Sequence, residues 1–363
     1  MFFLSKSPTV DYILVFYVNI RDLKKTIMVS VVLSEVKMNL SKGKQLVSVI
    51  IPTHNRPQLL MKAVKSVICQ TYRPIEIIII DDGSNEPVTS EWFKKVDKNV
   101  SICIKRNESG TGVAAARNVG IRSAKGEMIA FLDDDDRWMP AKLERQVEAL
   151  NRHRSFYIRG VYCQMIFEDE SGKEISRTCF PSMGHMVRRR MIYTDGNIPP
   201  PSVLVDRDAL FNIGLFDESM PAFEDRHWAL RFLTQYDMIC VDEYLVRILE
   251  HTGSRLSSYA GSMLVGERAY THFIQNYLKE QGVGDISKAM GYRYAKLANE
   301  YMLSGDTRSG MKTFLRSMAI NPFEKRAYIG FILGLGGAQL YKRIMARRML
   351  RVRLAAVSIN STQ

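Results

Sequence analysis

Met128-Ile129-Ala130-Phe131-Leu132-Asp133-Asp134-Asp135-Asp136-Arg137-Trp138-Met139-Pro140 is the stretch on which the fold turns. A short apolar run ends in four consecutive carboxylates and is closed by a proline. Like charges held close raise one another's pKa, so the cluster is costly unless a cation sits on it. The apolar run reads as a buried strand. The acids then stand at its carboxyl end, the edge at which open α/β sheets bind ligands. Hard cations such as Mg²⁺ and Mn²⁺ take oxygen ligands and usually share them with substrate phosphates. The stretch therefore points to a divalent metal clamping a phosphorylated substrate. A solvated acidic turn is the competing reading, and the strand in front of the acids weighs against it.

Working outward, the same grammar recurs upstream. Leu46–Ile51 is a β-branched run ended by Pro52 and followed by the polar turn Thr53-His54-Asn55-Arg56. Pro57 suits the first turn of a helix, and Leu59, Leu60, Ala63, Val64, Val67 and Ile68 are spaced for one buried face. Ile75–Ile80 is a second apolar strand, ending in Asp81-Asp82-Gly83-Ser84; Val100–Ile104 is a third. Gly110-Thr111-Gly112 leads into a helix over Val113–Ser123, and Lys142–Leu150 forms the helix after the acids. Strands alternating with helices at this spacing imply βαβ crossovers and a mostly parallel sheet. Every strand then ends on one edge, so Asp82 and the Asp133–Asp136 cluster should converge. Asp81-Asp82-Gly83-Ser84 is also an ordinary turn sequence, and His54 is an ordinary turn residue. No GxGxxG or GxxxxGK[ST] occurs, which argues against a dinucleotide fold and a P-loop NTPase.

Four segments in this order resemble the nucleotide-sugar half of a family 2 glycosyltransferase: Val47-Ser48-Val49-Ile50-Ile51-Pro52-Thr53-His54-Asn55-Arg56, Ile80-Asp81-Asp82-Gly83-Ser84, Gly112-Val113-Ala114-Ala115-Ala116-Arg117-Asn118, and Phe131-Leu132-Asp133-Asp134-Asp135-Asp136-Arg137-Trp138. The resemblance covers about Leu46 to Leu150. It implies an inverting enzyme of the GT-A class: an α/β fold with a Rossmann-like, mostly parallel sheet flanked by helices, here with a helical C-terminal extension. It puts Pro52, Thr53 and Asn55 beside the nucleotide, and Asp82 on the N–H of a uracil or thymine base. Arg117 falls near the base and diphosphate. Asp133, Asp134 and Asp135 match the DxD motif, the last acid on the metal and the others toward the nucleotide sugar. The cofactor implied is Mn²⁺ or Mg²⁺, and the donor a UDP- or dTDP-type sugar.

Beyond Asn151 the alternation becomes irregular, with candidate strands at Val161–Phe167, Lys173–Phe180, Ser202–Val205 and Tyr244–Leu249. Asp195-Gly196-Asn197-Ile198 and Pro199-Pro200-Pro201 make a stiff loop. Glu224-Asp225 opens a helix over Arg226–Thr234 and resembles the family's ED motif, which makes Asp225 the general base and Glu224 the fallback. A sugar hydroxyl is a poor nucleophile until its proton is taken, so a base is needed. The competing reading is that both acids merely suit the helix dipole. His227 stands where relatives often carry an acid. His251 and Arg255 lie in a polar loop that relatives close over the diphosphate, with His251 a second candidate metal ligand.

The chain has 363 residues and a formal net charge of +13. Pro322–Arg353 carries eight basic residues against the single acid Glu324, and so +7 of that charge. Basic surface suits nucleic acid or anionic lipid. No nucleic-acid motif or interleaved aromatic pattern accompanies it, so nucleic-acid binding is the weaker alternative. A nucleotidyltransferase, another alternative, needs a Gly-rich loop with a lysine near the first strand, which Pro52–Pro57 does not supply. Five scattered cysteines, in no CxxC spacing, fit a reducing compartment and hence the cytoplasm. No run of about 20 apolar residues occurs.

The sequence thus divides into an N-terminal extension (1–44) expected to be poorly ordered, a catalytic region (45–258) with its halves meeting at 150, a helical cap (259–321), and an apolar and basic tail (322–363). Ala327–Tyr341 is free of charge and about 22 Å long as one helix, too short for a comfortable span of about 30 Å. With the basic cluster after it, the tail suits peripheral contact with the cytoplasmic face of the inner membrane, or equally a buried amphipathic helix. The acceptor expected is a glycan or lipid-linked hydroxyl of cell-surface polysaccharide or lipopolysaccharide synthesis.

Overall fold

The computed structural model describes residues 4–7, 10–20, 25–33, 44–93, 97–250, 260–282 and 284–347. Two units result, residues 1–44 and 45–363. In the first, β1 (Leu4–Ser7), β2 (Val10–Ile20) and β3 (Lys25–Leu33) pair antiparallel in that order. The described residues of this extension take strands, in keeping with runs rich in Val, Ile, Tyr and Phe.

In the second unit, β4 (Val47–Thr53), α1 (Pro57–Ile68), β5 (Ile75–Asp82), β6 (Val100–Asn107), α2 (Val113–Ser123) and β7 (Met128–Phe131) form the donor half. Strands β6, β5, β4 and β7 lie side by side in that order, all parallel. The chain therefore adds strands on one side of β4, then crosses back to place β7 on the other. That reversal is the topological switch point where α/β sheets open a crevice.

Burial explains the strand composition. Ile50, Ile78, Ile80, Ile129 and Phe131 enter one core, while Val47, Val49, Ile51, Ile77, Ile79, Met128 and Ala130 enter the other. Both faces are covered, so a continuous apolar run replaces simple alternation.

The second half makes the sheet mixed. It runs β8 (Arg137–Trp138), α3 (Lys142–His153), β9 (Ile158–Glu168), β10 (Glu174–Arg177), α4 (Gly184–Tyr193), β11 (Leu204–Asp206), α5 (Arg207–Ile213), α6 (Glu224–Gln235) and β12 (Asp237–Leu249). Strand β11 pairs antiparallel with both β7 and β9, joining the halves. β12 runs parallel to β9, and β8 closes the row against β12.

Helices α7 (Ala260–Gln281), α8 (Ile286–Ser304), α9 (Thr307–Ile320) and α10 (Lys325–Gly334) follow. Asp285, Asp306 and Glu324 cap the last three, each accepting from a backbone N–H two or three residues on. Tyr270, Ile274 and Leu278 of α7 and Ala289 and Met290 of α8 share one core with Trp228 and Phe232 of α6. The helical region is thus packed into the same compact unit as the sheet. The apolar segment predicted as one helix over Ala327–Tyr341 is broken: residues 335 and 336 turn, Gly337 takes a φ of 81°, and helix resumes over 337–347.

Candidate active site

The carboxyl ends of β4, β5 and β7 meet at the switch point. Thr53 pairs with Asp81 in the β4–β5 register, and its hydroxyl donates to Asp134 Oδ2 at 2.7 Å. Thr53 therefore touches both acidic strand ends. The turn after it is stitched to the loop after β5. His54 Nδ1 lies 2.8 Å from the Asp82 carbonyl oxygen, the Asn55 N–H donates to Ser84 Oγ at 2.9 Å, and the Asn85 N–H donates to Asn55 Oδ1 at 2.7 Å. Pro52 is buried in β4 opposite Ile80.

Arg56 supplies the first cation on the acid cluster. Its Nη1 donates to Asp134 Oδ1 at 3.2 Å and to Asp135 Oδ2 at 2.9 Å. Sequence reasoning passed over Arg56; its only signal was a basic residue one turn beyond the first strand. Asp134 is 6% exposed, and burial pushes its pKa up to about 6 although Thr53 and Arg56 favour the anion. Asp136 turns away, accepting the Leu249 N–H at 3.1 Å and fastening the cluster to β12.

Asp82 is engaged by the loop that leads into α2. Asn107 Nδ2, the Thr111 N–H and hydroxyl, and the Gly112 N–H all donate to its carboxylate at 2.7–3.0 Å. Burial opposes its charge, but these donors outweigh burial and hold its pKa below the usual range. The resemblance assigns Asp82 to a base; the structure shows it organising residues 107–112.

Arg117 joins the two halves. It is 3% exposed, and donates from Nη2 to Asp133 Oδ1 at 2.7 Å and from Nη1 to Glu224 Oε1 at 2.9 Å. Burial works against its charge, and Asp133 and Glu224 outweigh burial, so its pKa is raised. Glu224, half-buried, has its pKa pushed upward by desolvation and by the neighbouring Asp225. Thus Glu224 is committed to Arg117, whereas Asp225 Oδ2 accepts only from Asn197 Nδ2 at 2.8 Å and its Oδ1 from the Arg226 N–H at 2.7 Å among the bonds resolved. The sequence showed Asn197 as part of a stiff loop, without this partner.

Phe223, directly before these acids, has a φ of 66°, and Asn55 has a φ of 55°. Among the described residues these are the two non-glycine positions with positive φ. One flanks each half of the site, and strain of this kind collects where side chains must be aimed.

Beside Asn197 opens a cleft of about 560 Å³, lined among others by Arg190, Asp195, Asn197, Tyr292 and Arg326. Residues of α4, the 194–197 loop, α8 and α10 line it, and Asn197 links it to Asp225. His227 lies 8% exposed against Phe273, and burial takes its pKa down to about 4, a neutral packed ring. His251 and Arg255 lie outside the described residues.

Among the described residues no group of three or more His, Cys, Asp and Glu side chains is arranged to hold a metal alone. Mg²⁺ sites commonly use one or two carboxylates completed by water and substrate phosphate. Asp134 and Asp135, hard donors at the switch point, fit that kind of site.

The family described as glycosyl transferase family 2 matches residues 48–210. An uncharacterized glycosyltransferase of Rickettsia conorii, RC0461, is 31% identical over 231 residues, which span 63% of this chain and 37% of that protein. The putative colanic acid biosynthesis glycosyl transferase WcaA of Escherichia coli K12 is 30% identical over 54% of this chain and 68% of its own length. UDP-Glc:alpha-D-GlcNAc-diphosphoundecaprenol beta-1,3-glucosyltransferase WfaP of Escherichia coli is 40% identical over 31% of this chain and 44% of its own length. Staphylococcus aureus TarS 1–349 in complex with UDP-GlcNAc superposes with a TM-score of 0.53 at 16% identity, covering 79% of this chain and 90% of that one. That likeness shows the shared GT-A fold.

Proposed function

The chain belongs to glycosyl transferase family 2, and from that premise we propose that it moves a sugar from a UDP- or dTDP-type donor to a hydroxyl of a lipid-linked glycan acceptor, with inversion at the anomeric carbon. The observation that carries this reading is the Arg117 bridge from Asp133 to Glu224, which sets the acidic strand ends and Asp225 into one frame. The reaction class comes from the family. The lipid-linked acceptor is taken from the name of WfaP, and surface-polysaccharide synthesis from that of WcaA.

In this reading Thr53, Asn55 and Asp82 shape the nucleotide site, and Asp133 and Asp134 line it toward the ribose and diphosphate. Asp135 and Asp134 would hold Mn²⁺ or Mg²⁺, with His251 a further candidate. Such an ion neutralises the diphosphate and makes it a better leaving group. Arg117 keeps Glu224 occupied, which leaves Asp225 as the base. Asn197 orients Asp225. Asp225 takes the proton from the acceptor hydroxyl, and the freed oxygen attacks the anomeric carbon opposite the diphosphate. A new C–O bond forms there while the bond to the diphosphate breaks, its electron pair leaving with the nucleotide. The cleft beside Asn197 is where the acceptor enters. The site of action is the cytoplasmic face of the membrane that holds such acceptors.

The test is turnover with UDP- and dTDP-sugars, Mn²⁺ and a diphosphate-lipid-linked sugar. Transfer with inverted configuration, lost in Asp225→Asn, is expected. Full activity in Asp225→Asn would overturn the assignment of the base.

A further inference from the structure

Helix α10 carries large apolar side chains on its outer face as well as its inner one. Its inward arc is Ala327, Gly330 and Gly334, all buried. Those glycines are where the helix meets its neighbours: a Cβ on Gly330 would stand 2.3 Å from the Phe314 ring, and one on Gly334 2.6 Å from the Met311 sulfur. Phe331 and Leu333 pack partly against the same core, but the remaining large apolar side chains point the other way. Tyr328, Ile329 and Ile332 are 43%, 49% and 65% exposed, and Phe323 and Leu335 at its two ends are 89% and 70% exposed. A helix that only packs on a soluble domain puts its large apolar residues inward. Large apolar residues exposed together at helical spacing mark an interaction surface.

Charge says what covers it. Lys325 shares the outward arc with Ile329 and Ile332, and Leu340, Arg343 and Arg347 follow at helical spacing, all exposed. Lys342 is exposed as well, and the sequence continues with Arg348, Arg351 and Arg353. The only acid in the stretch, Glu324, caps α10. Apolar side chains fringed by cations fit the boundary between acyl chains and anionic headgroups. Among the described residues no helix is long and apolar enough to cross a membrane.

We propose that the outward face of α10 and the helix over 337–347 is a docking surface for an anionic lipid bilayer, on which this segment lies flat. Ile329, Ile332 and Leu335 enter the headgroup boundary, and Lys325, Lys342, Arg343 and Arg347 meet the phosphates. None of these residues belongs to the candidate active site, so the surface stands whether or not the glycosyl-transfer reading does.

The experiment is sedimentation of the full chain with vesicles of phosphatidylcholine alone or with about one third phosphatidylglycerol, in 0.1 M and 1 M NaCl, and without nucleotide. Binding to the anionic vesicles is expected, weakened by high salt because exposed charges are screened. Ile332→Asp with Leu335→Asp, and separately Lys342→Ser with Arg343→Ser, are each expected to lower binding at least tenfold, with the circular dichroism spectrum kept. Failure of the wild-type chain to bind, equal binding to neutral vesicles, or unchanged binding in the apolar variant would overturn the proposal. So would a lipid-free dimer by light scattering that Ile332→Asp dissociates, because the face would then be covered by a second copy.

Discussion

Arg117 Nη1 lies 2.9 Å from Glu224 Oε1, a hydrogen bond across 107 residues that ties the donor half of the sheet to the first acid of α6. The same guanidinium holds Asp133, so the two acidic motifs share one buried cation. Breaking a buried pair by removing one partner leaves an uncompensated charge and commonly costs about 3–5 kcal/mol. Arg117→Met is expected to lose stability on that scale in denaturant unfolding. Arg117→Met with Glu224→Gln should lose less than the two single changes added, since the partners are coupled. Strict additivity would show that the bridge is incidental.

Asn197 holds one oxygen of Asp225. Loss of a general base typically costs about 10²–10⁴ in rate, and misplacing one costs less. Asp225→Asn is therefore expected to fall in that range, and Asn197→Ala by roughly ten- to a hundred-fold in kcat. The KM for the donor should stay unchanged in Asn197→Ala, because the residue lines the cleft proposed for the acceptor. A rise in donor KM with kcat intact would remove its positioning role.

Asp134, raised to about 6 by burial, gives a pH dependence with a definite sign. Between the unfolded carboxylate pKa, near 4, and about 6 the folded chain holds more protons than the unfolded one. Its contribution to stability is complete below that window and lost as pH rises through it. Without nucleotide or metal, Asp134→Asn should therefore be more stable than wild type at pH 7.5, by about 1–3 kcal/mol. The advantage should vanish near pH 4. Equal unfolding midpoints at both pH values would contradict the buried, strained carboxylate.

Lys142 lies away from the site, fully buried, 3.9 Å from the Trp138 ring centroid and bonded to Gln146 Oε1 at 2.7 Å. Burial lowers its pKa to about 7. The unfolded chain, near 10.4, then binds the extra proton between those values, so stability should climb with pH across that window. Lys142→Met is expected to be more stable than wild type at pH 6 and to flatten the climb. A less stable methionine variant at pH 6 would show that the ammonium is better accommodated than its burial implies.

The donor half was legible because its signals are local. Val47–Thr53 and Ile75–Asp82 are apolar on both faces, and parallel pairing follows from the helices between them. Once Thr53, Asp82 and Asp134 stood at strand ends, their place on one edge of the sheet needed only topology. The remainder depended on register. Nothing in Leu204–Asp206 announces three residues wedged antiparallel between β7 and β9, and without that wedge Asn197 cannot be placed against Asp225. Arg56 was hidden for the same reason, since a turn residue gains meaning only from the acid it faces. The tail shows the limit of periodicity. Its spacing marks an apolar helix, but which arc faces inward is decided by how closely Gly330 and Gly334 let α10 approach α9.

If the acidic strand ends at the switch point grip a nucleoside diphosphate through a shared cation, calorimetric titration of UDP with and without Mn²⁺ must show it. Uptake of UDP that requires Mn²⁺ is expected, weakened at least tenfold in Asp135→Ala, which removes the carboxylate proposed to hold the metal. Absence of manganese-assisted binding for UDP, dTDP and GDP alike, or binding unchanged in Asp135→Ala, would contradict it.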